Sequence, residues 1–183
     1  PVTSTLGATM PRHFATVREL IYWEYAKLIT GEAVGDRLNY KFANFTYRKL
    51  IEGKATPSSI LTENKQLFVQ GDICAYCGSR GPLHWEHIIP VSRGGPECID
   101  NMVRACVQCN ITKGARDPYQ WYLGTKVEPI PRIVLGKLLK IVFEEYAARG
   151  LLDSAEFMKL NAIERVTLSS IFLHQTNDET RHA

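Results

Sequence analysis

The stretch that decides the fold runs from Cys74-Ala75-Tyr76-Cys77 to Cys106-Val107-Gln108-Cys109-Asn110, with His84-Trp85-Glu86-His87-Ile88-Ile89-Pro90 between them. A Cys-x-x-Cys turn aims two thiols at one point, and two such turns complete a tetrahedral set of four thiolates. A site with four protein ligands is closed and therefore structural, and zinc is the expected metal. Twenty-eight residues separate Cys77 from Cys106, longer than the usual zinc-ribbon interval, so something folded must fill the gap. Cys98 lacks a partner at ligand spacing and reads as a small, partly buried hydrophobe.

Working inward, His84 to Ile89 reads as a short strand stopped by Pro90. Arg93-Gly94-Gly95-Pro96 is a turn signal, and Ile99 to Val103 reads as a returning strand. A helix from about Cys106 follows, with Cys106, Cys109, Asn110 and Lys113 sharing one face. Trp85 reads as a core anchor and His84 as a hydrogen-bonded or exposed histidine. In a regular strand Glu86 and His87 point to opposite faces. Both serve one site only if the strand bends or ends there.

These residues in this order resemble the HNH endonucleases and their ββα-metal motif. The resemblance rests on both Cys-x-x-Cys pairs, Glu86-His87-Ile88-Ile89-Pro90, Gly94-Gly95, Asn101 and Asn110-x-x-Lys113, about a quarter of the chain. Asn110 stands where the family name has its last histidine, and its amide oxygen can still serve a hard cation. The resemblance implies that His87 is the general base toward water, a task that suits an imidazole near neutral pH. It implies that Glu86 and Asn110 hold a catalytic magnesium or manganese ion, which polarises the phosphate and stabilises the leaving 3′-oxygen. Asn101 would orient the His87 loop, and Lys113, Arg104, Arg116 and Arg93 would contact phosphates. The implied products are 5′-phosphate and 3′-hydroxyl ends.

Outward from the motif, the expected fold class is α+β and mostly α-helical, a central zinc-stabilised ββα-metal (HNH) motif flanked by helices on both sides. Its expected parts are an N-terminal helical segment (1–70), the nuclease core (71–120) and a C-terminal helical segment (121–183), which together can form one compact domain. Phe14, Val17, Ile21, Tyr25 and Leu28 predict a helix over 12–29, with Pro11 in its first turn and Gly31 and Gly35 at its end. A second helix over 37–52 places Leu38, Phe42 and Phe45 on one face and carries Tyr40, Lys41, Tyr47, Arg48 and Lys49. Such interleaving suits nucleic-acid contacts or, more commonly, a core face backed by solvated charge. A strongly apolar helix runs from beyond Pro131 to Arg149, stopped by Gly150. Its stretch from Leu135 to Phe143 is either centrally buried or a homodimer interface. Asp153 and Glu156 have capping-box spacing for a last helix through about Leu173.

The chain is 45% hydrophobic with a net charge of +3, which permits nucleic-acid binding without requiring it. Residues 1–70 carry nine Lys/Arg against six Asp/Glu. No apolar run approaches a membrane span, and Pro1-Val2-Thr3-Ser4 lacks the pattern of a secretory signal. The expectation is an intracellular, cytoplasmic protein, where paired cysteines bind metal sooner than they oxidise. The leading function is a metal-dependent DNA endonuclease of restriction, phage or mobile-element type, with duplex DNA as partner. The alternative is a non-catalytic zinc module that binds nucleic acid or protein. An RNA-cleaving enzyme would use the same site.

Overall fold

The Thr16 hydroxyl accepts a hydrogen bond from the Glu19 amide and so starts helix α1, Val17–Val34. The computed structural model describes residues 13–56, 71–125 and 130–161. The first helix begins and ends later than expected. Gly31 lies inside it, and Gly35 ends it at φ 75°, a left-handed conformation that glycine adopts without a Cβ penalty. Pro11 lies outside the described residues.

Asn39 caps helix α2, Tyr40–Ile51, through its side-chain oxygen. Here the expected apolar face is wrong. Ala43, Thr46 and Leu50 face inward, while Phe45 is 55% and Leu38 63% exposed. Ala43 and, on α1, Ala26 are both fully buried. Small side chains let two backbones approach closely, so the large aromatics are left to the outer side.

Strand β1, Leu83–His87, pairs antiparallel with β2, Met102–Cys106, from Leu83 opposite Cys106 to His87 opposite Met102. The returning strand starts three residues after its expected start because Ile99–Asn101 form a 3-10 turn. Between the strands, Gly95 lies so close to the backbone of Ile89 that a Cβ would sit 2.1 Å from its carbonyl oxygen. Helix α3, Val107–Lys113, follows β2 directly, with Cys106 as its cap. Helix α4, Pro118–Thr125, was not anticipated. Asp117 Oδ1 accepts from the Gln120 amide, and Pro118 occupies the first helical position, where no amide hydrogen is needed.

Helix α5, Arg132–Ala148, is the centre of the molecule and stops before Gly150 as expected. Leu135, Leu138, Leu139, Ile141 and Val142 are all buried within the chain. That burial removes the Leu135–Phe143 stretch as a dimer interface. Tyr22 of α1 stacks on Phe143 at 6.1 Å, and the Tyr25 hydroxyl donates to the Gly136 carbonyl. Helix α6, Ala155–Asn161, is capped by Ser154, whose Oγ accepts from the Phe157 amide. Asp153 is thus not the cap, and pairs instead with Arg18 at 2.6 Å. The expected continuation to Leu173 lies outside the described residues.

Two lysines of α5 join this helical scaffold to the sheet. Lys137, 3% exposed, donates to the carbonyls of Ile99 (2.9 Å) and Met102 (2.6 Å). Lys140 pairs with Asp100 at 2.5 Å. The described residues form a mostly helical α+β fold with one two-stranded antiparallel sheet. No helix among them is long and apolar enough to cross a membrane.

Candidate functional site

The two cysteine pairs converge. Sγ atoms of Cys74, Cys77, Cys106 and Cys109 all lie within 4.8 Å of one another, and those of Cys77 and Cys106 are 3.8 Å apart. A tetrahedral zinc with Zn–S bonds of about 2.3 Å has sulfur–sulfur edges of about 3.8 Å. Donor chemistry and spacing therefore fit one zinc ion. The first knuckle is a tight turn in which the Gly78 amide donates to Cys74 O and the Cys74 amide to Ser79 O. The Ala75 amide donates to Arg104 O, fastening this turn to β2. Burial pushes the Cys74 and Cys109 thiols up. At Cys77 burial acts in the same direction, but hydrogen bonds with Ser79 and with the Cys74 and Cys109 thiols together outweigh it and hold the thiol down at about 6. Four thiolates this close repel one another, and a dication relieves that repulsion.

Glu86 points inward from β1 and is 6% exposed. The Lys113 ammonium donates to its Oε1 at 2.5 Å, and the Tyr76 hydroxyl donates to its Oε2 at 2.5 Å. Burial, followed by the charge of Glu86, pushes the Tyr76 phenol well above its ordinary value, so it stays protonated and donates. Lys113 also donates to the His87 carbonyl at 3.0 Å. One lysine thus ties the end of α3 to the end of β1. This corrects Lys113 as a phosphate contact, because its fully buried side chain is spent inside the protein.

Asn101 is fully buried and holds the chain just past His87. Its Oδ1 accepts from the Ile89 amide at 2.9 Å. Its Nδ2 donates to Ile89 O at 2.8 Å and to Pro96 O at 2.9 Å. The Ile88 amide donates to Asn101 O. These bonds fix where the chain leaves the strand, and β1 ends at His87. The side chains of His87 and Asn110 are half-buried and have no hydrogen-bond partner among the described residues.

The other expected phosphate contacts separate. Arg93 is exposed on the turn before Gly94. Arg104 lies over the Trp85 ring at 5.3 Å and donates to Leu83 O. Arg116, exposed, folds back onto the carbonyls of Thr112 and Lys113. Two core expectations fail as well. Trp85 is 42% exposed, with Arg104 over its ring, and Cys98 is exposed on the turn entering the 3-10 segment.

Sequence reasoning missed Tyr76 and Asp117. Tyr76 packs edge-on to Trp121 at 5.0 Å, and the Tyr122 hydroxyl donates to its carbonyl. Asp117 is 3% exposed with Oδ2 buried and unpartnered, and burial raises its carboxyl above the usual range. The Asp117-Pro118 pair carried a readable helix-start signal. Tyr76 carried none, because its partner lies on another element.

No curated protein and no solved structure matches the chain. A family model does match: the one described as HNH endonuclease covers residues 74–116, the segment holding both cysteine pairs, Glu86, His87, Asn101 and Asn110.

Proposed function

We propose that the protein is a metal-dependent DNA endonuclease that hydrolyses phosphodiester bonds, leaving 5′-phosphate and 3′-hydroxyl ends. One observation carries the reading: within the matched HNH segment, the half-buried His87 ring has no hydrogen-bond partner among the described residues, while the backbone around it is fixed by Asn101 and Lys113. A histidine held in place yet free at its ring nitrogens is suited to take a proton from water. Asn101 is the positioning residue, acting through the backbone of Ile88 and Ile89. Glu86 and Asn110 offer hard oxygen donors of the kind magnesium or manganese takes. When bound, such an ion would polarise the phosphate and offset charge on the leaving oxygen. In the structure as found, Lys113 supplies the positive charge beside Glu86. Restriction, a phage or a mobile element are all settings in which such an activity serves.

A second reading has its own support. Both oxygens of Glu86 already have protein donors, which is what a non-catalytic zinc module that binds nucleic acid would also show. Plasmid cleavage decides between them. With magnesium or manganese the wild-type protein should convert supercoiled plasmid to nicked circles, since one site cuts one strand. The His87→Ala variant should lose about 100-fold or more, the scale of a lost general base, with zinc content and unfolding temperature unchanged. Equal cleavage by that variant removes His87 as the base, and no cleavage by the wild type leaves the binding module.

A further inference from the structure

Helix α2 turns an unusual face to solvent. On the helix, Lys41, Phe45, Arg48 and Lys49 fall on one side, with the capping residue Glu52 beneath them, opposite Ala43, Thr46 and Leu50, which pack inward. Lys41, Phe45, Arg48 and Lys49 are all exposed. Glu52 is neutralised by Lys54 at 2.7 Å, whereas none of Lys41, Arg48 and Lys49 forms a salt bridge among the described residues. The Lys49 ammonium lies over the Phe45 ring, 4.5 Å from its centroid. Residues 40–54 hold four Lys/Arg and one Glu, a local +3, and the whole chain is +3. The remaining residues therefore balance to zero. All of the protein's excess positive charge sits on this one helix and its end.

We infer that the outer face of α2 is a docking surface for duplex DNA, separate from the cutting site. This rests on the reading of the HNH segment as a DNA-cleaving site. From Lys41 to Lys49 the helix rises about 12 Å, a length over which duplex DNA presents roughly seven phosphate charges. Lys41, Arg48 and Lys49 meet phosphates, and Phe45 provides an apolar contact to sugar or base edges. An acidic protein would satisfy the three charges but gives no comparable reason for an exposed ring among them. The matched segment has spent Lys113 inside and folds Arg116 back onto its own main chain, which leaves Arg93 exposed there and gives α2 room to add affinity for the duplex.

The test is anisotropy of a labelled 30-base-pair duplex with the full zinc-loaded chain, titrated at several salt concentrations without added magnesium or manganese. Lys41→Gln/Arg48→Gln/Lys49→Gln should weaken binding at least tenfold and reduce the slope of log affinity against log salt by about 2 to 3. Phe45→Ala, which leaves the charge unchanged, should weaken binding about fivefold or more, as loss of an aromatic contact does. Lys159→Gln, exposed on α6, is the control for simple charge loss and should change little. All of these side chains lie at the surface, so the fold tolerates them. Wild-type affinity and slope in both α2 variants would overturn the inference and leave an acidic protein as the occupant. No binding by the wild type would overturn it too. The site reading is judged apart: plasmid nicking that survives the α2 changes keeps the nuclease and loses the docking face, while lost binding without any nicking does the reverse.

Discussion

Two regions of this molecule solve the problem of burial in opposite ways. The helical scaffold of α1, α2 and α5 buries aliphatic and aromatic side chains: Val17, Leu20, Ile21, Leu28, Leu138, Leu139 and Val142 are nearly or fully inside. The segment matched by the HNH model buries Glu86, Asn101 and Lys113 together with two thiols, and Asp117 is buried just beyond it. A two-stranded sheet is marginal alone, so that segment depends on a few strong, directional contacts. The scaffold spreads its stability over many weak ones. Concentrated contacts hold atoms in exact places but fail one at a time, and this suits a site more than a core.

The sharpest way to break the comparison is to withhold the zinc ion that the four thiols are placed to hold. Chelation of zinc should abolish amide-exchange protection across residues 74–113 and leave it in 17–34 and 132–148. Structural zinc contributes on the order of 10 kcal/mol in small zinc domains, more than this sheet can replace. Equal loss of protection in α1 and α5 would show that the two regions are one cooperative unit.

Next in size is the buried pair. Lys113→Met leaves the Glu86 carboxylate inside without its cation and should cost about 3–5 kcal/mol in urea unfolding. Adding Glu86→Gln should restore most of that. A loss below about 1 kcal/mol in the single variant would mean that the pair is solvated after all. The smallest effect belongs to the scaffold's surface pair. Hydrogen bonds from Arg18 hold the Asp153 carboxyl below its usual range. Its stabilisation is therefore present above the unfolded carboxylate range and lost as pH falls through the depressed folded value. The Asp153 side chain is 63% exposed, so Asp153→Asn should cost well under about 1 kcal/mol near neutral pH, read as a small shift in thermal unfolding. A larger cost would give an exposed scaffold pair the weight of a buried one and blur the contrast.

The directional region was also the more legible one. Cysteine spacing fixes where thiols can meet, so four Sγ atoms around one point, a strand from His84 (expected to Ile89, ending at His87) and a helix from about Cys106 could all be read from residue order. Lys113 shows where that legibility ends. Its position on the cysteine face of α3 was readable, but the destination of its charge depended on Glu86 and Tyr76, which only the tertiary structure brings to it. In the scaffold, hydrophobicity misled. Phe42 and Phe45 looked like the buried face of α2, yet close packing against α1 selected Ala43. The cap at Ser154 was missed because Asp153 offers equally good chemistry one residue earlier, and Arg18 claims it.

Lys137 has a consequence of a different kind. Helix α5 is apolar around most of its circumference, and a smooth greasy cylinder can be turned about its own axis while burying nearly the same area. A charged amine cannot be turned with it, since only one orientation brings its nitrogen to the carbonyls of Ile99 and Met102. That lysine acts as a rotational key: it selects a single setting of the helix from several of similar hydrophobic energy, and sets the sheet's position by the same choice.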